Sequence, residues 1–177
     1  MRYFFGCLAF LLVLAGCSGT ESVQEEVERE RPVEEESAIP AWYNDGVHSA
    51  TDSLEIHGFS LSSAMDSVRA AELSTQTALE NLRFEIDRTA EMVRTELADS
   101  EGAGQKYSSP EFIIRLRNTV SDLPLDAARI TLQHESSSRG VHYFYAKASI
   151  FRTELPELFR KYLRDETFIQ TIGPVSE

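Results

Sequence analysis

The chain has 177 residues, and its 29 aspartates and glutamates outnumber its 17 lysines and arginines to give a net charge of −12. This balance argues against nucleic-acid binding, because a surface that follows phosphates needs a net basic patch. The two cysteines, Cys7 and Cys17, lie near the start, so the later sequence offers no thiol for a disulfide, a metal ion or nucleophilic attack.

Residues 1–16 have the layout of a secretory signal peptide. One positive charge at Arg2 precedes an apolar run from Tyr3 to Leu14, and the small residues Ala15 and Gly16 follow. The run is shorter than the roughly 20 apolar residues that a transmembrane helix needs. It therefore predicts export rather than a membrane span.

Leu14-Ala15-Gly16-Cys17 resembles the lipobox of bacterial lipoproteins, whose cysteine is acylated and becomes the first residue of the mature chain. Ser18, directly after the cysteine, resembles the outer-membrane type. We therefore expect acyl chains on Cys17, palmitate among them, to anchor the protein in the outer membrane, with the folded part in the periplasm. The alternative is an ordinary signal peptide with an incidental cysteine.

Residues 17–39 predict a disordered, acidic tether. Eight glutamates stand here beside Arg29, Arg31 and Pro32, with almost no large apolar side chain. Such a segment cannot bury enough surface to offset its ordering entropy. At about 3.3 Å per residue its extended limit is on the order of 70 Å, enough to lift a domain clear of lipid headgroups.

A single folded domain is expected over residues 40–172. It opens on Pro40-Ala41-Trp42-Tyr43, which holds the chain's one tryptophan. Aromatic residues at a domain edge usually cover the core, and we favour that interpretation. The alternative is a partner interface formed by four aromatic residues: Trp42, Tyr43, Tyr143 and Tyr145.

The first predicted strand runs from Asp52 to Leu61. Apolar residues alternate up to Ile56 and then continue one residue out of phase from Phe59, with the slip at His57-Gly58. A β-bulge at these two residues would explain the slip, and a close approach of a helix to Gly58 is the alternative.

A long helix follows, with Ser63-Ala64-Met65-Asp66 as its expected N-terminal cap. Apolar residues then recur at helical spacing as far as Leu97. Arg83 and Asp87 are four apart and are expected to pair on the polar side. At 1.5 Å per residue the helix would reach about 50 Å, so we expect a bend or an overhang that offers a partner surface.

The remaining sequence predicts a helix from Pro110 to Leu123, a hairpin of strands 128–135 and 141–151, and a final amphipathic helix around residues 155–164. Small residues on one face of the last strand indicate that a helix packs closely there. These residues are Ala146 and Ala148, between Phe144 and Ile150. The predicted fold class is α+β, with a long helix on a small antiparallel sheet in the order β-α-α-β-β-α.

Three stretches together resemble a known family. They are Pro40-Ala41-Trp42-Tyr43 before a glycine-containing strand, the alanines Ala64, Ala70, Ala71 and Ala78, and the strand His142-Tyr143-Phe144-Tyr145-Ala146-Lys147-Ala148. With the lipobox, they resemble the outer-membrane lipoprotein family typified by the twenty-kilodalton Lpp lipoprotein, which includes the flagellar assembly lipoprotein P. The resemblance implies a non-enzymatic, often self-associating envelope protein with a helix on a small antiparallel sheet.

The sequence contains no recognisable phosphate loop, nucleophile elbow or zinc-protease motif. His134 and His142 flank the hairpin turn, but two histidines without a third ligand make a poor metal site, so we expect no metal and no cofactor. We predict a structural or assembly lipoprotein that binds itself or other envelope proteins. The alternative is a ligand-binding or enzymatic lipoprotein with a pocket between sheet and long helix, lined by Tyr143, Tyr145, His134 and Lys147.

Overall fold

A computed structural model describes residues 39–100, 102, 104–137 and 139–173 of the chain. The predicted signal peptide, the lipobox residues Leu14, Ala15, Gly16 and Cys17, and the tether up to residue 38 lie outside the described residues. The described residues confirm the α+β fold class.

Four antiparallel strands form one sheet in the order β1-β2-β4-β3. Their bounds are Ser49–Thr51 for β1, Glu55–Ala64 for β2, Arg129–Ser136 for β3 and His142–Phe151 for β4. The predicted hairpin of β3 and β4 is confirmed, and β2 pairs with β4 over its whole length. The three-residue β1 was not predicted, and it adds an edge beside β2.

The described residues also form five helices. Their bounds are Ser67–Asp99 for α1, Gly104–Tyr107 for α2, Pro110–Asp122 for α3, Leu155–Leu163 for α4 and Glu166–Ile172 for α5, with a 3-10 turn at Arg152–Glu154. Helices α1, α3 and α4 match predictions, whereas the short α2 and α5 were not predicted. None of the helices in the described part of the chain has the length and apolar character that a membrane span requires.

Helix α1 packs on β2 and β4 at very short range. A Cβ atom on Gly58 would lie 2.2 Å from the carbonyl oxygen of Ala78 and 2.2 Å from the amide nitrogen of Leu82. Ala148, which lies opposite Gly58 on β4, and Ala146, which lies opposite Ser60, are both fully buried. The expected close helix is therefore confirmed. The β-bulge is wrong, because β2 keeps an unbroken register with both neighbouring strands.

Two local expectations about α1 are corrected. Ser63 lies inside β2, and Asp66 caps the helix by accepting a hydrogen bond from the backbone N–H of Arg69 at 2.8 Å. The side chain of Arg83 reaches the carbonyl oxygens of Val120 and Ser121 at the end of α3 instead of pairing with Asp87. Both carbonyls lie in the last turn of α3, where helix carbonyl oxygens have no partner from a following turn and can accept a hydrogen bond from a side chain.

The second half of α1 is covered by the other helices. The buried residues of the whole helix run from Ala70 to Leu97, so α1 has no overhang along this face.

Asp165 connects α2 to α5. Its carboxylate accepts a hydrogen bond from the Tyr107 hydroxyl, pairs with Lys106 and caps α5 at Phe168. Burial raises the pKa of Asp165, but these contacts lower it by more, so the carboxylate stays charged.

Candidate functional site: the outer face of the sheet

The two faces of the sheet have different surroundings. Ile56, Ala146 and Ala148 point towards α1 and are fully buried. Because side chains alternate along a strand, Phe59, Tyr145 and Lys147 lie on the opposite side, which we call the outer face. Among the residues that the structure describes, no helix packs on the outer face, and Trp42 and Tyr43 in the segment before β1 contact side chains there.

Two residues of that segment form an aromatic cluster with the sheet. The rings of Trp42 and Phe59 stack at 6.3 Å, and Tyr43 meets Tyr145 edge-on at 5.0 Å. The ammonium group of Lys147 lies 5.8 Å from the centre of the Trp42 ring. We define Trp42, Tyr43, Phe59, Tyr145 and Lys147 as the aromatic cluster. Three of the four residues predicted as an aromatic interface are therefore brought together.

Some residues of the aromatic cluster are buried and others are partly exposed to solvent. Phe59 and Tyr145 are buried, whereas Trp42 and Tyr43 each keep part of their ring in solvent. Burial raises the pKa of both tyrosines, with a further increase from Asp45 at Tyr43 and from Glu135 at Tyr145. Both hydroxyls therefore stay protonated at neutral pH and can donate hydrogen bonds.

Tyr143 lies outside the cluster. It is the next outward-facing residue along β4 after Tyr145, and it pairs with Ser63 on β2 and Glu135 on β3. Its ring is half-buried. It extends the outer face towards the hairpin turn.

The four residues predicted to line a pocket do not share one. Tyr143, Tyr145 and Lys147 lie on the outer face, whereas His134 lies on the α1 side, where its ring stacks on Phe144 at 4.6 Å. The space between sheet and α1 is instead filled by residues such as Ile56, Ala146 and Ile150, all fully buried.

Three polar residues meet at the other end of the outer face. His57 is the cross-strand partner of Ser149, and its Nδ1 lies 3.0 Å from the Ser149 Oγ. Its Nε2 lies 3.1 Å from an oxygen of Asp52. The backbone N–H groups of Glu55 and Leu54, with His57, lower the pKa of Asp52 to about 2.

Asp52, His57 and Ser149 have the residue types of a hydrolase catalytic triad, but they do not meet its other requirements. A nucleophilic serine must be reachable by substrate, and Ser149 is 4% exposed. The three groups instead join the turn after β1 to β2 and β4 through hydrogen bonds. Sequence reasoning missed the trio because Ser149 is 92 residues from His57, and no local pattern connects them.

Glu85 is the most buried carboxylate of α1, at 1% exposure. It accepts hydrogen bonds from Thr51 at 2.7 Å and Ser49 at 2.9 Å, and it pairs with Arg88. Burial raises its pKa, but the hydrogen bonds from Thr51, Ser49 and Arg88 lower it by more. The charged carboxylate therefore holds β1 against the helix.

His134 and His142 approach each other beside the hairpin turn, as their positions in the sequence suggest. The Nε2 of His134 lies 2.9 Å from the Nδ1 of His142, within hydrogen-bond distance. Within the described ranges, no group of three or more His, Cys, Asp or Glu residues is placed to hold a metal ion.

The surface also carries open concavities along the helices. One of 690 Å³ follows the exposed side of α1, where Phe84 and Met92 stand among charged residues. Another, of 320 Å³, lies between the start of α4 and Pro124. Neither touches the aromatic cluster.

Comparisons of this chain with protein families, with curated proteins and with solved structures find no match.

Proposed function

We propose that this chain is a lipid-anchored envelope protein that acts without catalysis, as a structural or assembly component. The observation that carries the proposal is the Leu14-Ala15-Gly16-Cys17 motif at the end of a signal-type apolar run. Acylation of Cys17 would attach the chain to the outer membrane, and residues 18–38 would act as a spacer. The resemblance to the outer-membrane lipoproteins of the twenty-kilodalton Lpp type supports the same role.

The polar residues of the folded part support a structural interpretation. Glu85 holds β1, Asp165 holds α2 and α5, and His57 joins β2 to β4. Each of these groups is engaged in contacts between elements of the fold. Groups with such partners rigidify a scaffold, which suits a protein that holds others in place.

The aromatic cluster is the surface that we propose for envelope partners. Trp42 and Tyr43 sit on a rigid sheet and keep part of their rings exposed, which is the property of aromatic anchors in protein interfaces. They also stand next to the predicted tether, so a partner bound there would lie at the end of the domain that leads to the anchor. The resemblance to a family that includes the flagellar assembly lipoprotein P suggests motility structures as one place where such partners occur.

Site-specific photo-crosslinking in cells tests the partner surface. A photoreactive amino acid at Trp42 of the full chain is expected to capture the same envelope protein in repeated experiments. The matched control is the same substitution at Leu54, an apolar residue that is 68% exposed and outside the cluster. Equal capture at both positions, or none at Trp42, would contradict the proposal.

A further inference from the structure

Strand β3 leaves one long side of the sheet open. It is an edge strand of eight residues, and seven of them are exposed to solvent. Its pairing with β4 uses the backbone groups on one side only. The N–H and C=O groups on its other side have no strand partner in the part of the chain that the structure describes.

Strand β3 carries the charged residues Arg129 and Glu135 but lacks other features that usually protect an edge strand. It contains no proline, and its register with β4 runs without a bulge from Arg129 to Ser136. The opposite edge, β1, is only three residues long. Natural proteins commonly shorten, bend or cover an edge that must not pair, so an uncovered edge of this length is a template for another strand.

Helix α1 does not shield this edge. It packs on β2 and β4, which leaves the α1-side residues of β3 open: Ile130 is 37% exposed and Leu132 is 44% exposed. A strand added beside β3 would cover these two side chains. Burial of such apolar surface favours association.

The sequence of β3 is complementary to itself. In an antiparallel pair of two copies centred on Leu132, Arg129 of one copy lies opposite Glu135 of the other, twice by symmetry. Ile130 then lies opposite His134, and Leu132 meets its own copy. Opposite charges and apolar residues directly across two strands stabilise the pair.

Other registers lose this match. A pair centred on Thr131 places Arg129 opposite Gln133, and one centred on Gln133 places Glu135 opposite Thr131. Both leave the charges without an opposite partner. A register shifted by a single residue would put facing side chains on different sides of the sheet.

We propose that two copies of this chain associate through their β3 strands, antiparallel and centred on Leu132, to form one continuous eight-stranded sheet. The interface is isologous, since the same strand serves both copies. The proposal deepens the proposed assembly function by naming one partner and its surface.

Arg129 can bind Glu135 of the second copy while it keeps its contacts within its own chain. It pairs with Glu55 at 2.6 Å and lies over the Phe151 ring at 3.7 Å, yet 49% of its side chain is exposed. A guanidinium carries five N–H donors, so it can bind a second carboxylate. Glu135 accepts a long hydrogen bond of 3.4 Å from the Tyr145 hydroxyl.

Disulfide trapping of the full chain in cells tests the register. Leu132→Cys places two cysteines directly opposite each other, at a Cα separation of about 5 Å that a disulfide can span. We expect a covalent dimer on a non-reducing gel. Ser136→Cys is the matched control, because its two copies would lie about 27 Å apart along the pair and should not react.

Charge exchange tests the pairing by a second route. Each variant carries Leu132→Cys together with either Arg129→Glu or Glu135→Arg. Each alone puts like charges opposite each other, and we expect about tenfold less covalent dimer. Co-expression of the two, distinguished by different tags, restores both opposite-charge pairs, so the mixed dimer should exceed either homodimer by about tenfold.

The proposal is overturned if Leu132→Cys gives no more dimer than Ser136→Cys, as it would if the chain's own tether or another protein covered β3. It is also overturned if the mixed dimer forms no better than the homodimers. The result is separable from the anchoring proposal. A chain that forms the Leu132 cross-link without acylation of Cys17 would contradict the anchor alone, whereas an acylated chain without the cross-link would contradict the pairing alone.

Discussion

The backbone nitrogen of Leu82 lies where a side chain of Gly58 would begin, with only 2.2 Å between it and an ideal Cβ position on that glycine. The sheet and α1 are therefore in contact backbone to backbone at this point. Any residue larger than glycine must separate them, because the obstructing atoms belong to the main chain and cannot rotate away.

Gly58→Ala is therefore expected to lower the free energy of unfolding by about 3 kcal/mol, at the upper end for an overpacked core. Chemical denaturation of residues 18–177 would measure it. Gly46→Ala is the matched control, because Gly46 has a φ of 84° but open space around it. This change should lower the free energy of unfolding by about 1 kcal/mol, through the backbone conformation alone. Equal losses in the two variants would contradict the close contact.

Glu85→Gln tests the buried carboxylate that holds β1. We expect the free energy of unfolding to fall by about 1.5–3 kcal/mol at neutral pH. The reason is that the hydrogen bonds of the charged carboxylate with Thr51, Ser49 and Arg88 are replaced by weaker ones. The folded-state pKa of Glu85 is lowered, so its contribution is full above the ordinary value of 4.5 and is lost as the pH falls through the folded pKa.

The difference in unfolding free energy between wild type and Glu85→Gln should therefore shrink as the solution is acidified below pH 4.5. Denaturation at a series of pH values measures this. Glu96→Gln, at an exposed position of the same helix, is the control and should change stability by less than about 0.5 kcal/mol. A difference that stays constant with pH would exclude a charged Glu85 as the cause.

Arg83→Met tests how α1 is joined to α3. One nitrogen of Arg83 lies within hydrogen-bond distance of three carbonyl oxygens, those of Val120, Ser121 and Leu123. Loss of these hydrogen bonds should lower the free energy of unfolding by about 1.5–3 kcal/mol. It should also increase amide hydrogen exchange at the end of α3. Arg117→Met, at an exposed arginine of α3, should be nearly neutral. An Arg83→Met variant as stable as Arg117→Met would refute this role.

The sequence predicted the parts of the fold that carry a local repeating pattern. The 33 residues of α1 and the strands of the hairpin have strong periodicity. The small residues Ala146 and Ala148 also indicated a close helix, and a close approach of that helix to Gly58 was one of the two explanations offered for the slip in the strand pattern.

The parts that were missed depend on distant contacts. Strand β1 has three residues, too few for a pattern, and it is held by hydrogen bonds to Glu85, which follows Thr51 by 34 residues. Helix α5 is capped by Asp165, whose partners Lys106 and Tyr107 lie far back in the chain. The bulge expected at His57-Gly58 was wrong because glycine occupies a buried position where the pattern expects an apolar residue.

The aromatic site was predicted in composition but not in geometry. Trp42, Tyr43 and Tyr145 meet, whereas Tyr143 lies apart from them. Phe59 and Lys147 join the cluster only because β2 and β4 pair in a particular register. The register follows from the packing against α1, which a linear pattern does not encode.

The central claim is that Cys17 carries the lipid that holds this protein in its membrane. Metabolic labelling of the full chain with an alkyne fatty acid, followed by membrane fractionation, tests it most directly against Cys17→Ser, with Cys7→Ser as the control. We expect the wild type and Cys7→Ser to be labelled and found in the outer membrane, and Cys17→Ser to be unlabelled and released into the soluble periplasmic fraction. Labelling or continued membrane attachment of Cys17→Ser would contradict the account.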